Sequence, residues 1–350
     1  MRLLLLHPYE PESKDVENTL WMQTSYAFIS VFKQRIAHLD RAIHNSTRQQ
    51  PQQQTQGQPQ QQQQQGGRGH GAVEYRKLLQ RFRQFLAEED KFWVQLIVRI
   101  RRIFALDDAH AVLAELGLFP DESPAGEGNA PPKRNHFQFP SEADIAAAAP
   151  SLTPTNREQR ESRMAILSKA LVCLGDIERY KEQYNESGGR PRAGHEDGPP
   201  AAGGGGNQKG GRGKKGGAGA NGAQAPVMPR MRNYDKAQQC YQQARILLPQ
   251  DGNPAHQMAI LASYQKDVFG SLVHYYRALC VRNPYDTAAE NLGTVLSKTL
   301  MQWKNRGSKR EKDREQARGE GSGMAPRLRV EAFKEKLIVL HALWRVSPEE

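Results

Sequence analysis

The sequence predicts an all-α fold built from antiparallel helix pairs. Three observations carry that prediction. Apolar residues recur with the helical period in every segment that is not low in complexity. The two-residue alternation of a half-buried strand appears nowhere over a useful length. An aromatic and a proline, Tyr241 and Pro249, recur 35 residues on as Tyr276 and Pro284.

The helices are read in chain order. Met1 to Leu6 starts like a leader, but its apolar run is short and no small-residue cleavage site follows, so it reads as the remnant of a first helix. Residues 16–44 place Leu20, Ala27, Val31, Ile36 and Leu39 near one stripe. Residues 72–106 form a long helix with Leu78, Leu79, Phe82, Phe85, Leu86, Trp93, Leu96, Ile97, Ile100 and Phe104 inward. Its other face carries Arg76, Lys77, Arg81, Arg83, Arg99, Arg101 and Arg102. A short helix at 107–116 follows, opened by Asp107 or Asp108. Residues 119–156 are irregular apart from a turn at 141–149. Residues 156–184 are strongly helical, with Leu167, Leu171, Leu174, Ile177 and Tyr180 inward. Further helices fall at 234–248, 254–264, 268–281, 287–301 and 330–344.

The recurrence fits tetratricopeptide-type hairpins, units near 34 residues with small residues at two contacts and an aromatic between them. Ala237, Tyr241, Ala244 and Pro249 match the second helix of one unit, and Leu174-Gly175 its first. In the next unit Tyr276 and Pro284 recur, with Leu272 and Leu279 at the small positions.

Composition bounds the folded part. Residues 49–65 hold 13 Gln, and residues 188–222 hold 15 Gly. Such stretches bury too little apolar surface to offset ordering entropy, and they read as disordered inserts lengthening hairpin loops. The net charge of +11 sits on three segments, 45–72, 185–233 and 301–328; the remaining chain is neutral. Basic flexible arms contact phosphate backbones without sequence choice, and more often they are simply solvated.

Catalytic and cofactor patterns fail on context. Gly211-Arg-Gly-Lys-Lys-Gly216 matches a dinucleotide-loop pattern literally, but no strand precedes it. No P-loop or Gly-x-Ser-x-Gly elbow occurs, and the ten His lack metal-ligand spacing. The reading is of a non-enzyme with no cofactor and no metal. Cys173, Cys240 and Cys280 form no framework and are expected as small core residues. No apolar run approaches a membrane span, so no membrane partner is expected.

A long ordered series runs through the chain: Leu174-Gly-Asp-Ile-Glu-Arg179-Tyr180, then Leu248-Pro-Gln-Asp-Gly-Asn-Pro254, Gln257-Met-Ala-Ile-Leu-Ala-Ser263, Tyr275-Tyr-Arg277, Asn283-Pro284 and Asn291-Leu292. It resembles the family of ever-shorter-telomere (Est) and SMG proteins, adaptors of telomerase and of nonsense-mediated mRNA decay. The resemblance covers roughly 156–297 well and 16–21 more weakly. It implies a 14-3-3-like antiparallel helical array: first helices at 1–44, the Gln-rich insert at 45–72, a 14-3-3-like part at 73–184, the Gly-rich insert at 185–233, tetratricopeptide-type helices at 234–300, a basic linker at 301–328 and the start of a C-terminal helical domain at 329–350. Most of that last domain is expected to be missing.

On the residues alone, Arg179 pairs with Glu178, Glu182 or Asp176 on its own helix and Tyr180 is core. The resemblance implies a phosphoserine site instead, with Arg179 and Tyr180 meeting the phosphate. The family's lysine five positions after the helix tryptophan is Tyr26 here; Lys33 is the candidate substitute, and Lys181 a further one. The implied partner is a phosphorylated protein of the decay-helicase type. The alternative is a telomerase-associated subunit that binds RNA or telomeric DNA through basic segments, with Arg76, Lys77, Arg81 and Arg83 as contacts. Both imply a cytoplasmic and nuclear protein.

Overall fold

The computed structural model describes residues 1–48, 66–118, 137–185, 232–317 and 326–346. The Gln-rich and Gly-rich stretches lie outside the described residues. Among the described residues there are twelve α-helices and no strand, only a single bridge between Asp251 and Asn283. The fold is all-α, as the periodicity predicts.

Helix α1 (Arg2–Leu6) buries Leu4 and Leu5 and packs on α6 (Glu142–Leu152). Helix α6 forms where only a turn was expected. Ser141 caps it reciprocally with Asp144, and the Tyr9 hydroxyl donates to the Leu152 carbonyl at its far end. Helices α2 (Val16–Leu20) and α3 (Ala27–Arg48) are joined by a π-helical stretch, Trp21–Tyr26. That wider turn shifts the helical phase. Val31, expected inward, is 53% exposed and Ile29 is buried in its place, while Ile36 is buried as expected.

Helix α4 (Gly66–Ile103) begins earlier than predicted and buries the expected apolar face. Phe32 of α3 stacks on Phe82, and Trp21 meets Trp93 edge-on. The short α5 (His110–Glu115) packs on α8. Helix α7 (Arg157–Gln183) starts on Asn156, whose side chain accepts from the Gln159 amide. It lies between α4 and α8 (Asp235–Leu247). Helices α9 (Asn253–Tyr264) and α10 (Val268–Leu279) form the next hairpin, followed by α11 (Thr287–Ala317) and α12 (Pro326–Val346). Helix α11 runs past the predicted end into the stretch read as a linker.

The two hairpins repeat at 34 residues, not 35. Ala237, Tyr241 and Ala244 are fully buried in α8, and Ser271, Tyr275 and Ala278 are fully buried in α10. Tyr276 is half-buried and its hydroxyl meets His341 Nδ1 of α12. The prolines misled the register because they lie in connections, whose lengths helix packing does not fix. With 34 residues, the small positions are Ser and Ala rather than Leu272 and Leu279, which is the pattern close helix approach needs.

The thiols divide. Cys173 and Cys240 are buried, and burial pushes both thiols up, Cys240 to about 12. Cys280 ends α10 and is exposed, contrary to its expected core placement.

Candidate functional site

Helix α7 positions the Gly-Asp-Ile-Glu-Arg-Tyr run against two neighbours. Gly175 faces Tyr241 of α8, and the next turn carries Asp176, Arg179 and Tyr180. Arg179 is 3% exposed. Its Nη2 donates to Asp176 Oδ1 at 3.0 Å and its Nε to the Tyr241 hydroxyl at 3.3 Å. The Tyr241 hydroxyl donates to the same Asp176 oxygen at 2.6 Å. Burial, and then the Asp176 carboxylate, push that phenol far up, so it stays a proton donor. The pairing of Arg179 with Asp176 on its own helix is thus present, and Tyr180 is buried. Arg179 is not a surface residue, and reversing its charge would set a second carboxylate in the buried network.

The rest of the expected cluster sorts into two places. The Arg179 guanidinium lies 4.6 Å from the centroid of the Tyr180 ring, and Lys33 Nζ of α3 lies 5.2 Å from the same centroid. Lys33, Arg179 and Tyr180 therefore come together. Tyr26 sits seven residues before Lys33, half-buried beside Trp21. Lys181 goes elsewhere. Adjacent helix residues diverge by roughly 100°, and Lys181 points to the α4 seam, where its Nζ meets Asp90 at 3.1 Å and Glu178 at 2.8 Å. There it lines a cleft of about 450 Å³ with Arg83, Glu178 and Glu182.

Two polar networks flank the cluster. Ser25, fully buried next to Tyr26, donates to Glu89 of α4 at 2.5 Å, and the Trp93 indole lies within reach of both. Burial raises the Glu89 carboxyl above the usual range, against those hydrogen bonds. On the other side His256 of α9 is 4% exposed, 4.6 Å from the Tyr285 ring, with Nε2 at 2.9 Å from the Asn291 amide. Burial, and then the Arg179 charge, lower His256 to about 4, so it is neutral at pH 7.

Of the basic residues assigned to nucleic acid, Arg76, Lys77 and Arg81 are exposed on α4. Arg83 is half-buried, and its Nε donates to the Tyr184 carbonyl at 2.7 Å. It fastens the end of α7 to α4 and is corrected from a surface contact to a fold contact. Among the described residues no cluster of His, Cys, Asp and Glu has the makings of a metal site, and no helix is long and apolar enough to cross a membrane.

Reasoning from sequence named Asp176 among the partners of Arg179 and missed Tyr241. The signal was the glycine facing an aromatic across the hairpin, a close contact that also brings the hydroxyl to the next turn.

The described chain is an all-helical protein of stacked hairpins with a two-cation, one-ring cluster between α3 and α7. Residues 15–185 match the family described as Telomerase activating protein Est1, and residues 237–342 match the Est1 DNA/RNA binding domain. The chain belongs to the Est/SMG family. It is 26% identical to Nonsense-mediated mRNA decay factor SMG7 of Arabidopsis thaliana over 83% of this chain and 20% of that protein. It is 27% identical to Telomerase-binding protein EST1A of Danio rerio over 35% of this chain and 5% of that protein. With SMG7 of Danio rerio it shares 39% identity over 19% of this chain and 6% of the relative. The chain spans about a fifth of the length of the first of these relatives.

Proposed function

We propose that this chain is the phosphoserine-binding part of a non-enzymatic adaptor in nonsense-mediated mRNA decay, with a phosphorylated helicase-type protein as partner. The similarity to SMG7 over most of the chain supports the pathway. The observation that carries the ligand is the meeting of Lys33 and Arg179 at the Tyr180 ring. A phosphoserine brings nearly two negative charges and three acceptors. Lys33 supplies a charge from one wall and Arg179 from the other, with Asp176 and Tyr241 holding the guanidinium in place. Such an adaptor works in both cytoplasm and nucleus.

The test is fluorescence anisotropy with a Ser-Gln peptide, phosphorylated and not. Phosphorylation should tighten binding at least tenfold, and Lys33→Glu should remove that gain. Equal binding of both peptides to the wild type would end this reading.

A second reading has its own support. The match of residues 237–342 to the Est1 DNA/RNA binding domain, with Arg76, Lys77 and Arg81 exposed on α4, favours a nucleic-acid partner in telomerase association. Affinity should then fall steeply with salt, and replacing the three by Ala should reduce the slope by about three. Binding to neither RNA nor single-stranded DNA at low salt would remove this reading.

A further inference from the structure

Helix α12 buries one apolar face and leaves a second one open. Ile338, Val339 and Ala342 are buried where α12 packs on α10 and α11. Two contacts, seven residues apart on each helix, set α12 beside α10. Lys334 Nζ lies 5.8 Å from the centroid of the Phe269 ring, and the Tyr276 hydroxyl lies 3.2 Å from His341 Nδ1. The two helices therefore run side by side in the same direction.

The open face is a row. Val330, Phe333, Leu337, Leu340 and Trp344 follow at steps of three, four, three and four. Val330, Phe333 and Leu340 are more than half exposed, Trp344 is 83% exposed, and Leu337 is half-buried. That spacing is the heptad seam of a coiled coil, and it stands about 140° around the helix from the buried face. From Val330 to Trp344 it runs about 21 Å, four turns. Apolar residues scattered singly on a surface are ordinary, whereas a continuous row marks an interaction face. On α10, Val273 shares the face of Phe269 and Tyr276 and is exposed as well.

The charges beside the row select its occupant. Arg329 and Lys336 lie along one flank, and Arg327 and Lys334 along the other. The acids of α12, Glu331 and Glu335, fall on the far side of the helix, where Glu331 holds Lys334 at 3.0 Å. Charges that flank a heptad seam set partner choice. A second copy of α12 would bring cations against cations and is repelled. A helix with carboxylates along its flanks is attracted.

We propose that the open row of α12 docks an amphipathic helix of a partner protein, one with a heptad apolar seam bordered by Asp and Glu. This surface uses none of Lys33, Arg179 and Tyr180, so it is independent of the phosphoserine reading.

The experiment uses the whole chain and two labelled helical peptides of about 21 residues, three heptads. Both carry Leu along the seam; one has Glu on its flanks and the other Lys. By anisotropy the Glu peptide should bind about tenfold tighter than the Lys peptide, as a few exposed ion pairs together give. The difference should shrink as salt rises. Leu340→Gln with Phe333→Gln should abolish binding of the Glu peptide. Arg329→Glu with Lys336→Glu should turn the preference towards the Lys peptide. Equal binding of the two peptides, or binding of neither, overturns the proposal. So does a dimer of the wild-type chain in sedimentation that Leu340→Gln dissolves, which would assign the row to a second copy. Capture by phosphatidylserine-containing vesicles, with no preference between the peptides, would assign it to a membrane surface and overturn it too. The two-peptide comparison on the wild type decides the matter even if a variant folds poorly.

Discussion

Gly175 lies flat against the ring of Tyr241. A Cβ on Gly175 would stand 2.5 Å from Tyr241 Cε1 and 2.8 Å from Cδ1. The ring is fully buried and cannot swing aside, and its hydroxyl is tied to Asp176 and Arg179. The helix-to-helix approach and the orientation of the arginine are therefore one contact.

Gly175→Ala tests that contact. Alanine is favoured in a helix interior by about 1 kcal/mol, but overpacking a buried ring costs about 1–3 kcal/mol. The clash should win, and the midpoint of urea unfolding should fall. Tyr241→Phe should cost about 1–3 kcal/mol, because Asp176 loses a buried donor. A Gly175→Ala variant more stable than wild type would show that the hairpin has slack.

Arg179 and Lys33 should behave oppositely under charge reversal. Arg179→Glu sets a second carboxylate beside buried Asp176 and should cost about 3 kcal/mol or more. Lys33→Glu, on a half-exposed side chain, should move stability by only about 0.5 kcal/mol. Thermal melts by circular dichroism separate the two. An Arg179→Glu protein melting with the wild type would contradict the buried network.

His256 gives the fold an acid limit. Its folded value, about 4, lies below the ordinary value of 6.5. Above 6.5 it is neutral in both states and its contribution is intact. As pH falls from 6.5 towards 4, the unfolded chain takes up a proton that the folded chain refuses, so stability drops, by about 3 kcal/mol in all. His256→Gln should flatten that part of the profile relative to wild type. Parallel profiles for the two proteins would argue against a neutral buried imidazole.

Glu89 works with the opposite sign. Its carboxyl is raised by burial, so the protonated form suits the folded state. Its contribution is present at low pH and is lost as pH rises through the carboxylate range. Glu89→Gln keeps an acceptor for Ser25 and Trp93 and removes the buried charge. The variant should be at least as stable as wild type at pH 7, with a smaller advantage at pH 4. Loss of stability at pH 7 would mean that the ionised carboxylate is what Ser25 needs.

The sequence carried the helices because each buries a stripe, and a stripe leaves a period. It carried α7 and α8 to within a residue at each end, and the buried face of α4 though not its start. It lost the phase of α3, since six π-helical residues leave no mark in composition. Adjacent Tyr275 and Tyr276 both fit a helical face, and only packing decides which turns inward. At the site, the i, i+3 partner Asp176 was legible within α7, whereas Tyr241 stands 62 residues from Arg179. Lys181 was misplaced because neighbours on a helix face different partners.

The uneven placement of the cysteines turns the chain into its own labelling substrate. Cys173 and Cys240 are shut in the core, and Cys280 stands in solvent at the end of α10. A maleimide dye should therefore attach at a single point under native conditions, with no cysteine engineered in or out. That point lies beside the Asn283 backbone that receives the Gly252 amide, where one hairpin is stitched to the next. A fluorophore there reports on that joint, and the two hidden thiols become reactive only when the hairpins part.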